Sequence, residues 1–503
     1  MTDAAAFLID DADVPALRNA VSRIARAGYC ETRVRERLGL SDLNDLRWRA
    51  LPIYREEQLA VRDVLASAID LFLLQGAIPS DELNRLFDKA DRDVLMRAGL
   101  LSIDEKGVAH ARASLFPVGD CLVFSDHAWP MLPHPGCANV PHDQVMSIGT
   151  DSRWLARVTM RRPVGTALDL CTGSGVHALL AASHSQRVIA VDINPRAAQC
   201  TRFNVLASGA TNVEVAVGNL FEPMRGERFD LITANPPFVP SPVDSIMYRD
   251  GGHSGEDIQR RIIAGLSQHL APGGIAQIVT ELGERDDEPI AARLRGWLGG
   301  APMDILILRL REHSATSYAI GHAEGDHDYG AFLDSVHDWA DNLRTQGYSS
   351  IVSVLLAFQW SDASFGPPWS RSEESQPPLS DAGTEVEAMF IAERMARKPD
   401  LHETLERSRV RRTGPIGLVE TRVLGSELRP NAQAQLLGKK LPIFQWLDPV
   451  EREVLVLMEE PLEMQDLLAL ARRLNIADEA VFAAVGSLLR RGLVLLMDDR
   501  EPD

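Results

Sequence analysis

The chain has 503 residues, 45% of them hydrophobic, and a formal net charge of −19 at pH 7. That length is more than one hydrophobic core organises, so about two to four domains are expected. So acidic a chain excludes a surface broadly coated by nucleic acid, because it would repel phosphates, while leaving room for one local basic patch. Cys30, Cys121, Cys137, Cys171 and Cys200 are odd in number and scattered, without a C-x-x-C pair. They read as reduced thiols rather than a disulfide or zinc framework. Met1-Thr2-Asp3-Ala4 runs into Asp10-Asp11 without the basic region of a signal peptide, and Ile69-Asp70-Leu71-Phe72-Leu73-Leu74 is too short and too charged for a membrane span. A cytoplasmic protein with no membrane partner is expected.

Residues 1–125 are expected to form a helical, winged-helix-like N-terminal domain. Apolar residues recur at helical spacing through Leu17, Val21 and Ile24 and again through Val61, Leu65 and Ile69. Ser80-Asp81-Glu82-Leu83 offers an N-cap, and the run from Val94 to Leu101 leads into a hairpin. Fold analogy favours a lid or a dimerisation module, hence a homodimer, over nucleic-acid recognition. Cys121 to Pro141 is a loop with His127, Trp129, Pro130, Pro133, His134 and Pro135, and His142 follows. The spacing fits no metal-ligand set, so a structured loop at the mouth of a site is expected and no metal.

Residues 126–360 read as an α/β domain. Thr150-Asp151-Ser152 starts a helix that feeds the first of four buried strands: Ala167–Leu170, Arg187–Val191, Val213–Val217 and Phe229–Ala234. Each ends on polar residues, where open α/β sheets bind ligands. The first strand carries Asp169 and runs through Cys171 and Thr172 into a turn with Gly173 and Gly175. There the backbone is expected to bring bare amides close to a ligand at a helix start. The second ends on Asp192-Ile193-Asn194, where a carboxylate can accept two ribose hydroxyls. The third ends on Gly218-Asn219-Leu220, and the fourth on Asn235-Pro236-Pro237-Phe238. The glycine turn alone also fits a dinucleotide fingerprint, Gly173-x-Gly175-x-x-Ala178.

The fourth strand end separates the readings. Two prolines abolish two backbone donors, leaving a stiff turn of acceptors, the Asn235 side-chain oxygen and the Pro236 carbonyl, with Phe238 beside them. Such a turn can hold the N–H groups of a planar nitrogen. With these motifs in this order, the stretch from about Val145 to Leu310 resembles the class I S-adenosylmethionine-dependent methyltransferases that carry an Asn-Pro-Pro-aromatic motif. Tyr248-Arg249-Asp250-Gly251-Gly252-His253-Ser254-Gly255, running into Ile258-Gln259-Arg260-Arg261, and Gly218-Asn219-Leu220-Phe221-Glu222-Pro223 are similar to phrases of the release-factor glutamine methyltransferases. The resemblance departs at Asn219, where that family usually has Asp.

The resemblance implies a Rossmann-like, seven-stranded sheet whose last strand is antiparallel, and the helix from Thr150 closing over the methionine end of the cofactor. It implies S-adenosylmethionine held by Asp169, Cys171, Thr172, Gly173, Gly175, Asp192, Ile193, Asn194, Asn219 and Leu220. Asn235, Pro236, Pro237 and Phe238 would hold the acceptor, an amide or exocyclic amine nitrogen. The acceptor is left open between a protein glutamine, a nucleic-acid base and a small molecule, with a macromolecule preferred. A cofactor-binding protein without activity and an NAD-dependent dehydrogenase are the alternatives.

Further on, Gly255–Leu270, Pro289–Leu298 and Tyr329–Thr345 read as helices, and Ile275–Val279, Asp304–Leu310 and Ser349–Phe358 as strands. Residues 361–445 are taken as linker and accessory segment, with Ser361 to Thr384 a Pro- and Ser-rich surface loop. Residues 446–503 carry three amphipathic stretches and the strand-like Leu493 to Leu496, a second winged-helix-like domain. Arg407, Arg409, Arg411 and Arg412 stand out in so acidic a chain as the candidate phosphate contact.

Overall fold

The computed structural model describes residues 7–47, 50–127, 141–243, 246–323, 328–421 and 431–497. Trp129, Pro130, Pro133, His134 and Pro135 of the proline-histidine loop lie outside the described residues. Two compact units result. The first comprises Met1–Ala156, Arg162–Gly300 and Glu312–Ser353, and the second Arg157–Arg161, Ala301–Arg311 and Val354–Asp503.

The first unit is built on five parallel strands: β1 (Val164–Leu170), β2 (Ser185–Asp192), β3 (Val213–Val217), β4 (Phe229–Ala234) and β5 (Leu270–Glu284). Their order is β3-β2-β1-β4-β5, so β1 pairs with β2 on one side and β4 on the other. The order reverses beside β1, which is where such sheets open a crevice at their carboxyl ends. Strands covered on both faces read as unbroken apolar runs, and Ala167, Leu168, Leu170, Val188, Val191, Leu231 and Ile232 are all buried. Helices α1 (Thr150–Val158), α2 (Val176–Ala182), α3 (Pro195–Ser208) and α4 (Asp257–His269) accompany them. Two further strands, Met303–Ser314 and Ser350–Trp360, each have residues in both units.

The N-terminal region shares its core with this sheet. Phe72, Phe124, Phe203 and Phe7 form a chain of tilted and edge-on ring contacts, and buried Asn204 of α3 accepts from the Phe124 amide. Within that region a strand at Ala77–Pro79 leads through two helices, Ser80–Leu86 and Lys89–Arg97, to the hairpin Leu101–Ile103 and Val108–Ala111, which pairs back onto the first strand. A short helix, Ala315–His322, stands ahead of Tyr329–Thr345 and packs against it around Tyr318 and Trp339; the sequence pattern does not show it.

In the second unit the segment expected as a surface loop is partly strand. Ser370–Ser375 pairs in parallel with Met303–Ser314 and antiparallel with Ile443–Leu447, followed by Asn431–Leu436 and Ile416–Thr421. All six of its residues are polar and three are Ser, so hydropathy has nothing to detect and backbone pairing alone makes the strand. The three C-terminal helices, Pro449–Leu457, Met464–Arg473 and Asp478–Arg490, fall where the periodicity puts them. The strand Val494–Met497 that follows pairs with Arg409–Arg412.

Candidate active site

A cavity with about 680 Å3 of empty space, partly open to solvent, lies at the carboxyl ends of β1, β2 and β4. Its lining includes Cys171, Thr172, Gly173, Asp192, Ile193, Asn194, Asn235 and Pro237, together with Gln144 to Ile148, Ser152, His177, Met247 and Tyr248.

Beneath the glycine turn sits Asp169, buried at 1% exposure. Its carboxylate accepts from Thr172 Oγ1 at 2.6 Å, Thr233 Oγ1 at 2.8 Å and the Ala178 amide at 3.2 Å, tying β1, β4 and α2 together. Burial pushes its acid up to about 7 against the pull of these donors. Asp169 therefore shapes the loop from below and is absent from the cavity wall.

The loop needs its glycines for two different reasons. Gly175 has φ +83 and caps α2; a Cβ there would stand 2.7 Å from Thr201 Cγ2. Gly173 has φ +57, and a Cβ there would meet nothing within 4 Å, since it faces the open cavity. Cys171 has φ +55, a left-handed conformation unusual for a residue with a side chain, and burial keeps its thiol protonated.

Three amides of this loop are taken. Thr172 N donates to Val191 O, Gly175 N to Thr172 O and Gly173 N to Asp192 Oδ2 at 2.8 Å. The expectation of free loop amides is corrected here: Asp192 reaches across from β2 and takes one. Asp192 Oδ1 accepts from Asn194 N at 2.9 Å. A carboxylate has about four acceptor positions, so capacity for a hydroxyl remains beside its backbone donors. Burial raises the Asp192 acid, and the backbone donors of Asn194, Gly173 and Ile193 oppose that. Ile193 is 58% exposed at the lip, a free apolar face for a flat ring.

Asn219 and Leu220 lie off the cavity wall. The Asn219 oxygen accepts from Arg261 Nη2 of α4 at 2.9 Å, and its nitrogen faces Glu222. The oxygen thus already has a donor, and Leu220, with φ +53, turns the chain there.

At the end of β4, Asn235 Nδ2 donates to Asp151 Oδ2 and to Ser152 Oγ, each at 3.0 Å. Burial raises the Asp151 acid, and its bond to Asn235 opposes the rise. Pro237 is on the cavity wall, whereas Pro236 is buried and Phe238 packs beside Val239, Tyr318 and Trp339. The amides of Phe238 and Val239 both donate to Arg249 O, so the turn is strapped to the loop that follows. The glycines of that loop permit the strap: a Cβ on Gly251 would stand 2.9 Å from Pro237 O, and one on Gly255, at φ +72, only 2.4 Å from Phe238 O. Tyr348 Oη donates to Ser254 O at 2.9 Å and anchors its far end.

Sequence reasoning missed the wall from Gln144 to Ile148, His177 and Met247, and it missed that Asp151 and Ser152 grip Asn235. The helix start at Thr150 was legible, but which residue it faces depends on the sheet. His127 lies between Ser114 Oγ and Ala111 O, and no group of metal-ligating side chains occurs among the described residues.

Residues 146–292 match the model of the methyltransferase small domain. Among curated relatives, the ribosomal protein uL3 glutamine methyltransferase of Bradyrhizobium diazoefficiens is 38% identical over 133 residues, 24% of this chain and 41% of the relative. The release factor glutamine methyltransferase of Geobacter sulfurreducens is 31% identical over 152 residues, 27% of this chain and 53% of the relative. The chain thus spans about half the length of the curated relatives it matches. A ribosomal protein L11 methylase from Lactobacillus delbrueckii subsp. bulgaricus covers 43% of this chain and 81% of its own at 16% identity, with a TM-score of 0.27, too slight a likeness to add to the strand order. The glycine loop, Asp192 and the Asn235 turn all fall within residues 146–292, the segment that matches the methyltransferase small domain model.

Proposed function

We propose that the chain is an S-adenosylmethionine-dependent N-methyltransferase whose acceptor is a side-chain amide of a protein, a glutamine as in the names of the relatives. The observation that carries the reading is the fixed amide of Asn235 on the wall of the cavity that also holds Gly173 and Asp192. The residues fit the cofactor: Gly173 leaves space where a side chain would intrude, and Asp192 keeps acceptor capacity for a ribose hydroxyl.

When bound, S-adenosylmethionine supplies a methyl group on a sulfonium, whose carbon–sulfur bond breaks as the new carbon–nitrogen bond forms. The chain's own residues do the rest. An amide nitrogen is a poor nucleophile because its lone pair is delocalised. Asn235 Oδ1 accepts an N–H group, localising density on nitrogen and aiming it at the methyl. The arrangement acts by position and preset acceptors, and the proton departs to solvent after transfer. The flanking regions are taken as winged-helix-like modules of a cytoplasmic enzyme with a macromolecular acceptor.

The test is transfer of labelled methyl from S-adenosylmethionine to a cell lysate, split by protease and nuclease treatment. Label that is lost to protease, survives nuclease and maps to glutamine is expected. Label lost only to nuclease would place the acceptor among nucleic-acid bases instead.

A further inference from the structure

Both N–H groups of the Asn235 amide are committed, one to Asp151 Oδ2 and one to Ser152 Oγ, at 3.0 Å each. A carboxamide nitrogen has two donors and no acceptor, so nothing remains on that arm. Oδ1 stands on the other arm of the planar group, and Asn235 and Ser152 both line the cavity. An ionised carboxylate only accepts, so Asp151 selects nitrogen for its side and forbids the flipped amide. Another carboxylate lies behind it. Glu281 of β5 accepts from Tyr318 Oη at 2.7 Å and Ser353 Oγ at 3.1 Å, and its acid is raised by burial and further by the charge of Asp151. A carboxylate at position 235 would face Asp151 at hydrogen-bonding distance with no proton between them, which the two cannot share while both are ionised.

We propose that Asp151 is a positioning residue for methyl transfer, which holds Asn235 Oδ1 towards the acceptor and restricts position 235 to a neutral carboxamide. The inference rests on the reading of Asn235 as the group that receives the acceptor's N–H. It also narrows the acceptor: the attacking nitrogen must carry a hydrogen to donate to Oδ1.

The experiment compares full-length Asp151→Ala, Asp151→Asn, Asn235→Asp and the double variant Asn235→Asp/Asp151→Asn. Methyl-labelled S-adenosylmethionine is supplied with the protein fraction of a nuclease-treated lysate. Asp151→Ala should lose about ten- to a hundred-fold in kcat with KM for S-adenosylmethionine unchanged, the scale of a small misplacement of a reacting group. Asp151→Asn should keep most activity, since its oxygen can turn to accept from Asn235. Asn235→Asp should fall below either, and the double variant should recover at least about tenfold over it, because the new carboxamide at 151 donates to the new carboxylate at 235. Thermal unfolding reads the same contact without any acceptor: Asn235→Asp lowers Tm and the double variant restores it. Wild-type kcat in Asp151→Ala, or a double variant no better than Asn235→Asp in both kcat and Tm, overturns the inference and leaves the functional reading standing. Failure of the wild type to label protein while Tm is restored in the double variant overturns the functional reading and, with it, the catalytic role of Asp151.

Discussion

The Asn235 turn and the arginine strand Arg409–Arg412 are the two stretches whose composition is hardest to overlook, and the structure uses them in opposite ways. At Asn235 the fold spends Asp151, Ser152, Arg249 and two loop glycines to hold one amide in one orientation at a cavity wall. At Arg409–Arg412 the backbone is the working part. It pairs with Leu462–Glu463 and with Val494–Met497, Val410 is buried, and Arg412 Nε donates to Met458 O at 2.6 Å. A turn of Asn, two prolines and an aromatic has little value to a fold and so points to chemistry. Charged residues on a short strand held by backbone pairing fit the fold without any ligand.

The sharpest way to break the contrast is Asn235→Ala. Turnover should fall on the order of a hundred- to a thousand-fold, the usual cost of one preset partner of a transition state. The loss should lie in kcat, since the interaction tightens as the nitrogen becomes pyramidal. Next in size is Asp192→Ala, which removes the proposed ribose acceptor and the clamp on Gly173 together. Charge-assisted bonds are worth roughly 1.5–3 kcal/mol each, and calorimetry should show the weakened binding of S-adenosylmethionine. Gly175→Ala should cost the protein more than about 1 kcal/mol, because a left-handed backbone and a clash with Thr201 add, and should appear as a lowered Tm.

A smaller effect separates Asp169 from the ligand-facing residues. Its folded acid is raised to about 7 and its unfolded acid is that of an ordinary carboxylate. The stability it contributes is full below the unfolded value and is lost as pH rises through about 7. Urea titrations of Asp169→Asn should show a flatter decline of stability across that window than the wild type. The smallest effect belongs to the arginine strand. Arg412→Ala should cost about 1 kcal/mol for one hydrogen bond and leave turnover and its salt dependence as they are. A flattened salt dependence would move that strand into the site.

The four parallel strands and their polar ends were legible because buried parallel strands are continuous apolar runs, and each ends where the chain turns to the ligand. β3 and β4 have the bounds expected of them, and β1 and β2 extend only a little further. Ser370–Ser375 was not legible, because a strand of Ser, Arg and Glu is made by its neighbours and not by its hydropathy. In the site, Asp192 and Asn235 were readable as strand-end residues. The spent amides of Gly173 and Gly175, the Arg261 donor on Asn219 and the grip of Asp151 on Asn235 were not. Apart from the local turn at Gly175, each is a contact between residues 19 to 84 positions apart, set by which elements lie side by side.

Two calorimetric titrations of S-adenosylmethionine, into Asn235→Ala and into Asp192→Ala, test the division of labour most directly. The account predicts wild-type affinity for the first and clearly weakened affinity for the second, because Asn235 is set to meet the acceptor and Asp192 the cofactor. Affinity lost equally in both would contradict it and place Asn235 among the cofactor's own contacts.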